Sequence, residues 1–215
     1  LKSFAVASVT PVIIDPETTF ITLTTTFKYD SSLTTKDVST LQTNVLDAVS
    51  SYNTDTLEDF TGMFRYSAVG KTIDEADTSI LSNITKIKMY KYITPTLSSG
   101  LKYTLSFNNA FYNPHSGHNA SAGGIVSSTG FKINDDSSTN EHFLDDNGEG
   151  AIRVYYLSGT TRIYTDSSFG TIDYTTGEII LTSANITSIS NVDGAASTQI
   201  RVTTIPSSND IIPVR

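Results

Sequence analysis

The sequence predicts an α+β protein: a small sheet with helices on one face, followed by a mainly antiparallel β unit. Three observations carry that reading. Residues 19–29 alternate apolar and polar with a period of two. Residues 38–52 place their apolar side chains at helical spacing. Beyond residue 100 the helical period gives way to short apolar runs separated by glycine and Asn/Asp clusters.

Residues 4–14 read as a short apolar strand that closes at Asp15-Pro16. In the next strand Ile21, Leu23, Phe27 and Tyr29 face one way and Thr22, Thr24, Thr26 and Lys28 the other, which marks a half-buried strand. Val38, Leu41, Val45, Ala48 and Tyr52 then share one helical face, with Thr34 or Thr35 available as N-cap. A second helix is expected from Asp55 or Thr56, with Glu58 placed for a capping-box contact and Leu57, Phe60 and Phe64 inward. Residues 67–77 read as a short third helix that buries Ile73, and residues 84–93 return to strand.

The expected division is an α+β domain at 1–95, a mainly β domain at 96–205 and a tail at 206–215 that leaves the body toward further sequence. Thr94-Pro95-Thr96-Leu97-Ser98-Ser99-Gly100 supplies the linker. Strands are expected at 101–111, 125–133, 151–157, 160–165, 169–174, 178–183 and 197–205, as in a sandwich or partly open barrel. Residues 113–124 and 134–140 read as loops. Ile172 and Tyr174 approach a turn at Thr175-Thr176-Gly177, where glycine supplies the positive φ of a short hairpin loop. Position 1 is Leu, and an apolar Ile-Ile-Pro-Val run precedes Arg215, so the chain reads as a piece of a longer polypeptide.

Composition narrows the function classes. The 215 residues contain no cysteine, which excludes disulfides, thiol nucleophiles and thiolate zinc sites. The net charge is -8, spread over both halves, so no basic stripe is available to release phosphate counterions and nucleic acid is not expected as a partner. No apolar run approaches the roughly 18 residues of a membrane helix. Charged residues make up only 17% of the chain, and serine and threonine take their place. That suits strand surfaces that are solvated without carrying charge.

No set of side chains that could carry chemistry survives comparison with its structural alternative. His115-Ser116-Gly117-His118 could share a metal if its loop folded back, but solvated loop histidines are the simpler reading, and the third histidine, His142, is remote in sequence. Asp145-Asp146-Asn147-Gly148-Glu149-Gly150 imitates the start of a calcium loop, yet its closing position is Tyr156, so an acidic turn is expected. No histidine sits near a nucleophile-elbow serine. The sequence therefore points to no enzyme, no cofactor and no metal. The remaining candidate is a strand bearing Lys86, Lys88 and Lys91 with Tyr90 and Tyr92. It is either a lysine-protected sheet edge or a protein-docking surface, and Lys86, Lys88, Tyr90 and Tyr92 are the candidate interface residues.

Two segments, FGTIDYTTGEIIL at 169–181 and IRVTTIPSSNDIIPVR at 200–215, resemble the baseplate wedge proteins of T-even-type contractile-tailed bacteriophages, in the baseplate J-like group. There an Asp-Tyr-x-x-Gly hairpin precedes a strand with a Pro-Ser-x-Asn-Asp-Ile-x-Pro-x-Arg tail. VTPVIIDPETTFITLTTTFKYDSSLTTKDV at 9–38, Phe64-Arg65-Tyr66-Ser67, Ile73-Asp74 and Met89-Tyr90-Lys91 are similar to that family as well. The resemblance implies a structural virion protein that forms homodimers and rings and links baseplate wedge neighbours. It implies assembly in the host cytoplasm and residence in the tail baseplate. The rival expectation is a β-rich adhesin or tail-fibre domain stacking glycans on Tyr103, Tyr155, Tyr156 and the 113–124 loop.

Overall fold

A computed structural model describes residues 18–59, 62–137, 139–192 and 194–212. The strand expected at 4–14 and the inward position expected for Phe60 lie outside the described residues. The architecture is α+β, with two antiparallel sheets and helices gathered on one of them.

β1 (Phe20–Tyr29) pairs antiparallel with β2 (Ile80–Ile93), with Phe20 opposite Tyr90 and Thr24 opposite Lys86. Between them lie α1 (Val38–Tyr52) and α2 (Tyr66–Asp74). α1 begins at Asp37, whose carboxylate accepts the Thr40 amide at 2.8 Å; the cap is this aspartate and not Thr34 or Thr35. The capping contact goes to the residue that precedes the first helical turn, and an ionised acceptor there also favours the helix dipole. The separate helix expected from residue 55 is instead a π-helical turn, Asn53–Leu57, that continues α1. Glu58 closes that turn by accepting the Asn53 side-chain amide at 2.8 Å. Phe64 is buried as expected, but in extended backbone bridged to Ile211.

α2 buries Val69 and Ile73 against the sheet. Asn83 of β2 ties the helix down, donating to the Gly70 carbonyl at 2.9 Å and to the Asp74 carboxylate at 2.8 Å. The Tyr66 hydroxyl donates to the Thr85 carbonyl. Ile73, Asp74 and Tyr66 thus hold the helix layer to the strands.

The second sheet contains β3 (Gly100–Ser106), β5 (Phe131–Ile133), β6 (His142–Asp146), β7 (Ala151–Ser158), β8 (Thr161–Asp173) and β9 (Glu178–Ile189). Pairings run β9–β5–β6–β7–β8 and return to β9, so five strands close into a barrel-like ring with β3 attached along β9. Closure leaves few unpaired edges on these strands. The 113–124 segment contains one short helix, α3 (His118–Ala122).

The two sheets do not part at residue 95. β10 (Ile200–Thr204) pairs with β2, and β4 (Ser127–Ser128) pairs with β10, so the first sheet has the order β1-β2-β10-β4. Side-chain period reveals a strand's faces but not its partner, which is why the sequence assigned β10 to the second unit. The segment after β10 also stays on the body up to Ile212. Pro206 bridges to Phe111 and Ile211 to Phe64, because Ile211 has an apolar side chain to bury. One buried apolar cluster therefore runs from Val45 and Ile73 under the helices, through Phe107 and Phe111, to Ile152 and Ile179 in the ring. Phe107 and Phe111 meet edge to face at 5.2 Å, each worth about 2–3 kcal/mol of burial.

Candidate assembly interface

The period of two that buries Ile87 and Met89 against the helices turns Lys86, Lys88 and Tyr92 to solvent and leaves Tyr90 half-exposed. Lys91 belongs to the opposite face and is buried, so the structure separates it from the cluster. β2 is also not an edge strand: β1 flanks it on one side and β10 covers residues 89–93 on the other. The lysines accordingly decorate the flat of a sheet and do not guard an edge.

Cross-strand pairing assembles an aromatic group on this face. Phe20 stacks on Tyr90 with ring centres 5.1 Å apart and meets Tyr92 edge-on at 5.6 Å, while Tyr90 and Tyr92 meet edge-on at 5.5 Å. Arg201 of β10 lies opposite Tyr92 in register and holds its guanidinium 5.6 Å from the Tyr90 ring centre. Partial burial, then the neighbouring Tyr92, raise the Tyr90 phenol above its ordinary pKa, and Arg201 acts in the opposite sense. Beside the rings an open groove of about 440 Å³ runs between Phe20, Tyr92 and Gln199 on one side and Thr104, Leu105 and Ser106 of β3 on the other.

Charge on the face has one sign. Lys28, Lys86, Lys88 and Arg201 share it with threonines and the rings, and no strand residue on it is acidic. Neither Lys86 nor Lys88 has an ion-pair partner among the described residues. An exposed aromatic centre rimmed by unpaired cations has the composition of a protein-docking patch.

Sequence reasoning missed Phe20 and Arg201. Phe20 could have been placed by extending the alternation of β1 by one residue. Arg201 had no local signal, because only the pairing of β10 with β2 brings it there.

The other candidates resolve into structural roles. His115 and His118 are 4.9 Å apart between ring centres, with Nε2 and Nδ1 at 3.3 Å, and they sit at the solvent side of a groove of about 600 Å³. His142 lies elsewhere, buried on β6 with Nε2 3.1 Å from the Asp136 carboxylate. No group of three His, Asp or Glu residues able to hold a metal occurs among the described residues. Asp145 and Asp146 are strand residues, not loop ligands. Asp145 accepts from Arg153 at 2.9 Å, Arg162 at 2.7 Å and the Tyr164 hydroxyl at 2.9 Å. Asp146 accepts from the Ile125 and Val126 amides at 2.6 and 2.8 Å and from the Tyr174 hydroxyl at 2.6 Å. Burial, then the bond to Asp146, raise the Tyr174 phenol far above its ordinary pKa.

The tyrosines of the glycan reading do not form one exposed platform. Tyr103 is half-buried with its hydroxyl receiving the Thr96 amide, Tyr155 is buried, and Tyr156 packs edge-on against His142.

The segment that builds β1, α1, α2 and nearly all of β2 decides the affinity. Residues 17–92 match the family described as baseplate structural protein gp6, C-terminal domain III. The matched segment contributes Phe20, Lys86, Lys88, Tyr90 and Tyr92 to the docking face, and Arg201 comes from outside it. No curated protein matches the chain. The likeness supports a structural part in a phage tail baseplate.

Proposed function

We propose that this chain is a structural, non-enzymatic component of the baseplate wedge of a contractile phage tail, and that it links wedge subunits through self-association and contacts with other wedge proteins. It needs no cofactor, nucleic acid or membrane for that role. It is assembled in the host cytoplasm and resides in the virion.

The single observation that carries this reading is the overlap between the gp6-like segment and the aromatic–cationic sheet face. The sequence fingerprints agree with it, because their residues pack or cap. Met89 is buried under the helices, Asp74 holds Asn83, and Tyr174 holds Asp146. None of these is spent on a nucleophile, a base or an open metal position.

Antibody labelling of intact virions encoding this chain, read by electron microscopy, tests the role. Label at the tail end distal to the head is expected. Absence of the chain from purified virions would refute it.

A further inference from the structure

We infer that the solvent face of β1, β2 and β10 binds the acidic surface of a second copy of this chain, in a contact where the two copies use different patches. The inference rests on the assembly reading above and names the partner of that same face.

Charge decides the geometry. Lys28, Lys86, Lys88 and Arg201 are four of the chain's 14 basic residues, and the other ten are set against 22 acidic groups, a balance of -12. Two copies meeting through the same face would bring both sets of four cations together with no carboxylate between them. Juxtaposed like charges oppose such a contact, and desolvation at an interface centre adds to the cost. The same face against any other part of a neighbouring copy meets a surface of opposite sign. In an assembly of repeated copies that surface is present at equal concentration beside every face. A contact of this kind is head-to-tail, and its repetition closes a ring when the rotation allows.

Shape agrees with charge. Phe20 and Tyr92, 39% and 41% exposed, stand at the mouth of the groove whose far wall is Thr104, Leu105 and Ser106. A protruding side chain of the neighbour enters beside the rings, and Lys86, Lys88 and Arg201 meet its flanking carboxylates. An apolar anchor with a charged rim gives both affinity and orientation. Nucleic acid fits poorly, because four cations on an otherwise acidic molecule cannot track a phosphate backbone.

The test uses purified full-length protein carrying Tyr92→p-benzoylphenylalanine, mixed with heavy-isotope-labelled copies, irradiated and mapped by mass spectrometry. The expected adduct joins position 92 of one copy to an Asp/Glu-bearing segment of another, outside β1, β2 and β10. Self-association read by sedimentation should weaken at least roughly tenfold in Lys86→Glu/Lys88→Glu. It should also weaken as salt rises from about 0.05 to about 0.5 M. Adducts between the two β2 faces, association indifferent to salt and to charge reversal, or a monomer at every concentration would each overturn the inference. Virion labelling is independent of these readouts, so loss of the baseplate role and loss of this contact are distinguishable.

Discussion

The Asp210 carboxylate accepts the Tyr66 amide at 2.8 Å, joining positions 144 residues apart. α2 has no side-chain cap of its own at Arg65, so the segment after β10 supplies one. Ile211 exchanges two backbone hydrogen bonds with Phe64, and the Asn109 side chain brackets Ile212 by bonding both its amide and its carbonyl. The two fingerprint segments FRYS and PSSNDII are thus one structural unit, a strap that fastens the helix layer.

Asp210→Ala should therefore lower stability by about 1 kcal/mol, the worth of a helix cap, while Asp210→Asn should cost less. Urea denaturation followed by circular dichroism checks both. Loss of stability should be accompanied by faster amide exchange in the first turn of α2.

Asp146 is the most consequential polar residue of the ring. It is fully buried and ties the 124–126 segment, the β6–β7 turn and the β8–β9 hairpin together. Asp146→Ala leaves those buried donors without an acceptor and should cost at least about 3 kcal/mol. Tyr174→Phe removes one charge-assisted bond and should cost about 1.5–3 kcal/mol. Thermal unfolding of both variants ranks them.

Gly177 and Gly159 separate backbone conformation from crowding. Both have positive φ, 71° and 63°. A Cβ on Gly177 would lie 2.0 Å from the Asn109 carbonyl oxygen, whereas one on Gly159 would meet nothing within 4 Å. Gly159→Ala should cost only the left-handed conformation, about 1–2 kcal/mol. Gly177→Ala must also displace the 107–111 segment, and its midpoint in denaturant should fall clearly further.

Asp77 gives a signed pH dependence. Its bond to Lys36 at 2.6 Å, reinforced by the Ser79 amide and hydroxyl, lowers its pKa from 3.8 to about 2. The ionised form is favoured in the fold, so its contribution is fully present above pH 3.8 and is lost as pH falls toward about 2. Asp77→Asn should be less stable than wild type at neutral pH, and the gap should narrow across that window. A gap that stays constant down to pH 2 would show that the bond to Lys36 is not formed.

What the sequence revealed follows from what is local. β1 was legible because one face is buried and the alternation is unbroken, and α1 because Leu41 and Val45 recur at helical spacing. β6 was not legible. His142-Phe143-Leu144-Asp145-Asp146 reads as an acidic turn until Arg153, Arg162, Tyr164 and Tyr174 arrive from later strands to satisfy its carboxylates. β8 was read as two strands because its polar middle hides the bulged pairing that carries it from β7 to β9. On the candidate face, Lys86, Lys88, Tyr90 and Tyr92 were visible as a period of two on a single strand. The strand's interior position, Phe20 and Arg201 were not, because sheet order is a tertiary property.

The central claim is that this sheet face carries assembly. Its most direct test is baseplate assembly of the full-length protein with its wedge partners, wild type against Lys86→Glu/Lys88→Glu, scored by sedimentation and electron microscopy. Both lysines are exposed and unpaired, so the double variant should keep the wild-type circular dichroism spectrum and melting temperature while wedge joining falls sharply. Wild-type assembly by the folded double variant would contradict the claim.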